Sequence, residues 1–162
     1  MNQFPECRGP PRHPRADTSR TAFAVCEVPQ LGLQQLDPLV QRISAAGLAV
    51  HTQINGDISR VTGAVDLVAY RIVQEGLTNA HKHGTGHTAT VTVDVGDEIL
   101  RLTVTNPVSR NYANHVEAPG DRLGLIGVQE RVAALRGTVS AQNIGEHFRL
   151  TAELPLHREV KA

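Results

Sequence analysis

The residues best suited to chemistry sit together in the run Arg71-Ile72-Val73-Gln74-Glu75-Gly76-Leu77-Thr78-Asn79-Ala80-His81-Lys82-His83. Glu75, Asn79 and the pair Lys82 and His83 are separated by four and then three or four residues, a spacing that places them on one face of a helix. That face carries a carboxylate, an amide oxygen, an ammonium and an imidazole. Hard oxygen donors suit Mg²⁺, which keeps part of its shell for phosphates. An ammonium beside the ion meets phosphate charge. The same spacing also describes the polar face of an ordinary amphipathic helix, and the residues alone leave both readings open. A second signal is Gly120-Asp121-Arg122-Leu123-Gly124-Leu125-Ile126-Gly127. Glycines allow close backbone approach, and amides at a helix N-terminus attract phosphate.

The elements that must position these groups follow from periodicity. Leu33, Leu36, Leu39, Val40 and Ile43 recur at helical spacing between Leu31 and Ala46, and Gly47 ends that helix. Leu48 to Ile54 alternates as a strand before the turn Asn55-Gly56. The chemical run lies on a helix over about Thr62 to Lys82, with Val65, Val68, Ile72, Gly76 and Ala80 on its inner stripe. Thr88 to Val95 and Ile99 to Val104 form a hairpin about Gly96-Asp97. Asn106 to Arg122 is expected to be a long loop, and long loops in compact domains are often functional. A helix over Leu123 to Leu135 and strands over Thr138 to Gln142 and His147 to Leu154 complete the order. Interleaved helices and hairpins predict an α+β sandwich, a mixed and mostly antiparallel sheet with helices on one face.

Residues 1–30 form an expected Pro- and Arg-rich disordered tail. A folded domain is expected over 31–156, with a short tail at 157–162. Acidic and basic side chains balance to a formal charge of zero, which offers no whole-chain attraction to nucleic acid or membrane. The chain has no Trp and few aromatics, which argues against stacking on single-stranded nucleic acid. No apolar run approaches the roughly 18 residues of a membrane span. Cys7 and Cys26 lack zinc-type spacing and read as free thiols. A cytoplasmic protein is the expectation.

Taken together, these motifs resemble the nucleotide-binding boxes of the GHKL superfamily. Gln74-Glu75-Gly76-Leu77-Thr78-Asn79 with Lys82-His83 resembles the N box of histidine kinases. Leu123-Gly124-Leu125-Ile126-Gly127-Val128-Gln129-Glu130-Arg131-Val132 resembles the G2 box of sensor kinases that work with NarL/LuxR-type response regulators. Gly145-Glu146-His147-Phe148 through Glu153-Leu154-Pro155 resembles the last two strands of that subfamily. The likeness covers about Leu31 to Pro155, with the boxes in order. It implies a Bergerat-type fold that binds ATP with Mg²⁺.

Carried over residue by residue, the resemblance makes Asn79 the Mg²⁺ ligand and Glu75 the group that polarises water or assists proton removal from an acceptor histidine. Lys82 would face phosphate oxygens, and His83 would hold the helix end or touch the nucleotide. His81 would face solvent. Gly124 and Gly127 would let the backbone wrap the phosphates and Gly120 would act as a hinge. Leu125 belongs to the same nucleotide-binding run, with its side chain and that of Leu123 expected to pack.

Two departures stand out. The family's adenine-reading box is Asp-x-Gly-x-Gly, whereas the matching stretch reads Thr105-Asn106-Pro107-Val108-Ser109. Asn106 would take the place of the Asp. Its carboxamide can accept the bond from the adenine amino group, and it can also turn round and donate. In addition, none of the eight histidines is followed by Asp or Glu, as the family's phosphoacceptor histidine is. The expectation is therefore the ATP-binding half of a split kinase. It would transfer the γ-phosphoryl of ATP to a histidine on a separate dimerising protein, and so act on a response regulator indirectly. A non-catalytic nucleotide-dependent binding module and an anti-sigma-type serine kinase are the alternatives.

Overall fold

The computed structural model describes residues 31–111 and 119–156, residues 119–122 by backbone alone. The expected tails at 1–30 and 157–162 and the middle of the expected loop lie outside the described residues. The chain runs through α1 (Leu36–Ala45), β1 (Ala49–Asn55), α2 (Gly63–His83), β2 (Thr88–Val95), β3 (Ile99–Pro107), α3 (Pro119–Ala134), β4 (Thr138–Ile144) and β5 (His147–Pro155). Short 3-10 turns at Leu33–Gln35 and Ile58–Arg60 precede α1 and α2.

The five strands form one sheet in the order β1-β2-β3-β5-β4. Only β1 and β2 pair in parallel, because α2 carries the chain back across the sheet between them. The other neighbours are antiparallel. Alternation does the sorting. Val91 and Val93, Leu100, Leu102 and Val104, and Leu150, Ala152 and Leu154 all turn inward and are buried. Against them pack Val65, Val68, Ala69, Ile72, Val73, Leu77 and Ala80 of α2, at the three- and four-residue spacing of a helix face. This is the α+β architecture expected, with the helices on one face of a mixed sheet.

Gly76 lets α2 lie close to the sheet. A Cβ at that position would stand 2.9 Å from both Cβ and Cγ2 of Val104. At the other end of α2, Asp66 ties in the chain before α1. Its Oδ1 accepts the Leu33 N–H at 2.8 Å, an otherwise unbonded amide of the first turn.

Three expectations change. The first helix begins at Leu36, not Leu31, and Leu33–Gln35 forms a 3-10 turn. The strand ending at Val104 continues through Asn106 and Pro107, because β5 offers partners as far as His147. Those two residues are therefore strand, not loop. The last helix starts at Pro119 instead of Leu123. Proline is well suited to a first helical turn. Gly120, which read as loop, joins Gly124 and Gly127 in the helix, where an interior glycine costs about 1 kcal/mol relative to Ala. Leu125, Val128 and Val132, packed in the core, offset that cost.

Candidate functional site

The second half of α2 holds the chemical residues. Glu75, Asn79 and His83 follow one another a turn apart and are half-buried, at the border of the helix's inner face. Lys82 falls outside this line and is exposed. It stands with His81 and His83 in the last turn, where cations meet the negative end of the helix. His81 is exposed, as expected, and also does something the sequence did not suggest. Its Nε2 lies 3.1 Å from the Ala46 carbonyl oxygen and closes the end of α1.

The end of α2 is fastened to the end of β3. The Gly84 N–H returns to the Ala80 carbonyl at 2.9 Å, and the Thr85 N–H donates to the Pro107 carbonyl at 2.9 Å. Gly84 allows this approach: a Cβ there would overlap the Ala80 carbonyl and stand 3.0 Å from Asn106 Nδ2. Asn106 is thus held against the turn that follows His83. It is 2 % exposed and is the one buried polar or charged residue among the described residues. Its Nδ2 donates to the Pro107 carbonyl at 3.0 Å. Its Oδ1 is buried with no hydrogen-bond partner. A buried acceptor left without a donor costs roughly 1–3 kcal/mol, so this atom is an open valence in the fold.

Glu75 meets α3. A Cβ on Gly124 would overlap the Glu75 carboxylate, so the glycine makes the notch in which that side chain rests. The structure therefore brings Glu75 to Gly124, and Asn106 to the end of α2. It does not show Gly120, Gly124 and Gly127 as a loop open to phosphate. All three lie within α3; Gly124 and Gly127 are interior to it, where amides bond to the helix itself, whereas Gly120 is in the first turn, whose amides lack a partner within the helix. Leu125 packs on the core, as expected, whereas Leu123 is 69 % exposed instead of packed.

A cavity of about 300 Å³ lies elsewhere, lined by Arg60, Thr62, Ala64, Val65, Leu135 and Leu156. Ala64 and Asn79 are about 22 Å apart along α2 at the usual helical rise, and none of the expected site residues lines this cavity. It is set apart from the polar end of α2 and has no part in the candidate site.

Among the described residues, no group of three or more His, Cys, Asp or Glu side chains could hold a metal ion, and no helix is long and apolar enough to cross a membrane. A Mg²⁺ ion shared with phosphates needs few protein ligands, so Asn79 is compatible with that role.

No protein-family model matches the chain. It is similar to the oxygen sensor histidine kinase NreB of Staphylococcus carnosus strain TM300, with 28 % identity over 117 residues. That match covers 68 % of this chain and 32 % of NreB, so the chain spans about a third of the length of its relative. Among solved structures it resembles the blue-light activated histidine kinase EL346 of Erythrobacter litoralis, with a TM-score of 0.55 and 21 % identity over 78 % of this chain and 45 % of that one. It also resembles the catalytic domain of histidine kinase ThkA, with a TM-score of 0.54 and 14 % identity over 75 % of this chain and 93 % of that one. The chain thus shares the fold of these solved histidine-kinase structures, and in sequence it is similar to part of NreB.

Proposed function

We propose that the chain binds Mg-ATP and acts as the catalytic subunit of a protein-histidine kinase whose acceptor histidine stands on a separate protein. The observation that carries the reading is the orphaned Oδ1 of Asn106. It is an acceptor without a donor, buried beside the end of the helix that bears Glu75 and Asn79. An adenine amino group supplies the missing donor. Turning the carboxamide round would set its oxygen against the Pro107 carbonyl, two acceptors face to face. The Pro107 bond therefore keeps Oδ1 pointed at the base site, and the pocket reads an amino group in preference to the carbonyl of guanine.

Mg²⁺, held by the Asn79 amide oxygen and phosphate oxygens, would neutralise charge on the phosphates. The rest is positioning. Lys82 and His83 at the end of α2 meet the phosphates, which requires the exposed Lys82 side chain to turn toward them. The acceptor imidazole attacks the γ-phosphorus, its bond to the β–γ bridging oxygen breaks, and ADP leaves. The imidazole proton passes to Glu75.

Calorimetry of Mg-ATP binding to wild type, to Asn79→Ala and in EDTA tests the reading. Metal-dependent binding lost in Asn79→Ala supports it, and absence of binding at millimolar ATP overturns it. Transfer of label to an added histidine-bearing helical partner then separates the kinase from a non-catalytic nucleotide-dependent module. That second reading draws on the contact of the Glu75 carboxylate with Gly124. Acid lability of the product separates a histidine acceptor from the serine acceptor of an anti-sigma-type kinase.

A further inference from the structure

The cavity of about 300 Å³ at the start of α2 is built from three separate parts of the chain. Val65 of α2 is its one fully buried lining residue, and Leu135 after α3 and Leu156 after β5 add half-buried apolar walls. Backbone bonds fix those walls. The Leu135 N–H donates to the Val132 carbonyl at 3.1 Å, and the Leu156 N–H to the Glu98 carbonyl at 2.7 Å. Ala64 presents only a methyl group to the space. The two polar lining residues, Arg60 and Thr62, are both exposed and so stand at the rim. No acidic residue is among the lining residues. Asp66, in the first turn of the same helix, accepts the Leu33 N–H instead. The acid that meets Arg60 is Asp97, whose carbonyl is 3.4 Å from Nη2 and whose Oδ1 is 3.7 Å from Nη1. Both contacts are long for a hydrogen bond, and an exposed ion pair of this kind contributes little. The Thr62 hydroxyl makes no cap bond to α2.

We infer that this cavity is a second ligand site, for a small amphiphilic carboxylate with an anionic head and a short apolar body. The inference does not rest on the nucleotide reading. The volume lies at the lower end of the roughly 300–1,000 Å³ usual for ligand pockets, and an apolar lining with a few polar groups is their usual chemistry. The division of the lining sets the class of ligand. Apolar groups lie deep and the cation lies at the rim, so an apolar body enters over Val65, Leu135 and Leu156 and leaves its head outside. The planar fork of a guanidinium matches the two oxygens of a carboxylate, and the Thr62 hydroxyl adds a third donor. With Arg60 the one charged lining residue, a single negative charge is complemented. A small anion without an apolar body gains nothing from the leucine walls, and drawn inside it would lose its hydration against them. A neutral apolar molecule fills the same space but leaves Arg60 without a charged partner from the ligand.

The test titrates the full chain, without nucleotide, with octanoate, with octanol as the same body without charge, and with acetate as the same head without the body. Amide chemical shifts in the ¹⁵N-labelled protein report where each probe binds. Octanoate should give saturable shifts at Arg60, Thr62, Ala64, Val65, Leu135 and Leu156, with the amides of Glu75 and Asn79 unmoved. Octanol and acetate should each bind roughly tenfold more weakly, as loss of a charge-assisted bond or of the buried body implies. Arg60→Gln should weaken octanoate by a similar factor and leave octanol unchanged. Ala64→Phe, which puts a ring into the space, should abolish the shifts for both. Positions 60 and 64 are exposed, so both variants are expected to fold, and unchanged shifts elsewhere in their spectra verify it. Should Ala64→Phe fail to fold, Ala64→Leu narrows the same space and should weaken octanoate several-fold. Shifts that do not saturate, or that persist unchanged in the filled variant, overturn the site. Equal affinity for octanoate and octanol, or for octanoate in wild type and Arg60→Gln, overturns the carboxylate, and equal affinity for acetate overturns the apolar body.

Discussion

Asn106 Nδ2 lies 3.0 Å from the Pro107 carbonyl oxygen, and that bond leaves the other arm of the same carboxamide buried and unbonded. The Pro107 carbonyl also takes the Thr85 N–H, so the strand end, the helix end and the carboxamide are joined at one atom. Base selectivity follows from this arrangement. The wild type is expected to prefer ATP over GTP, because guanine offers a carbonyl where adenine offers an amino donor. Asn106→Leu removes the acceptor and should cut ATP affinity by roughly 1–3 kcal/mol while flattening the preference. Asn106→Asp puts a second oxygen against the Pro107 carbonyl in place of the Nδ2 donor, and should bind ATP no more tightly than wild type. Calorimetry with both nucleotides across the three proteins decides the matter, and an unchanged ATP-to-GTP ratio in Asn106→Leu removes Asn106 from base recognition.

Gly76 sits where α2 crosses β3, with room for no more than a hydrogen toward Val104. Gly76→Ala improves helix propensity by about 1 kcal/mol but overpacks the contact by roughly 1–3 kcal/mol. The net expectation is a loss of about 1 kcal/mol in a urea titration. Val104→Ala in the same chain should recover more than its own single-variant cost would predict, the mark of direct coupling. Additive losses would show that the close approach is slack.

Much of this was legible in the residues. Alternation located β2 and β3 to their first residues, since period two along a half-buried strand has few competitors. The α2 stripe located its helix to within a residue at each end. What failed were features decided at a distance. Asn106 and Pro107 read as loop because proline and asparagine break strands locally, yet β5 supplies partners for them. Pro119 to Arg122 read as loop for the same reason, and only packing of Val128 and Val132 into the core pulls that segment into α3. The chemical face was legible as a spacing. The Gly124 notch was not, because Glu75 reaches it from a different helix.

Arg136 closes α3 in the left-handed region, with φ 59. The Gly137 N–H returns to the Val132 carbonyl at 2.9 Å, and the Arg136 N–H to that of Ala133 at 3.0 Å. This is the cap in which glycine is favoured at the position Arg136 occupies. Gly137 is required next to it, since a Cβ there would overlap the Glu153 carbonyl. Arg136→Gly is expected to stabilise the domain by about 0.5 kcal/mol, relief of the left-handed strain exceeding the added freedom of the unfolded chain. Thermal melts of the two proteins report it, and a fall in Tm would mean that the arginine side chain contributes more than its backbone costs.

Asp66 gives a pH signature. Burial pushes its carboxyl above the ordinary value of 3.8, and the Leu33 N–H only partly opposes that shift. The folded chain therefore holds this proton more tightly than the unfolded chain does. The stability contributed by the protonated form is complete below 3.8 and is lost as pH rises through the raised folded value. Asp66→Asn keeps an oxygen for the Leu33 N–H and does not titrate. Stability measured by urea unfolding from about pH 3 to pH 7 should therefore show the gap between the proteins moving in favour of Asp66→Asn as pH rises, and then becoming flat. Every other titrating group is common to both proteins, so the difference isolates this carboxyl. A gap that moves the other way would mean that the Leu33 bond outweighs burial, and that Asp66 anchors α1 to α2 as a stabilised carboxylate.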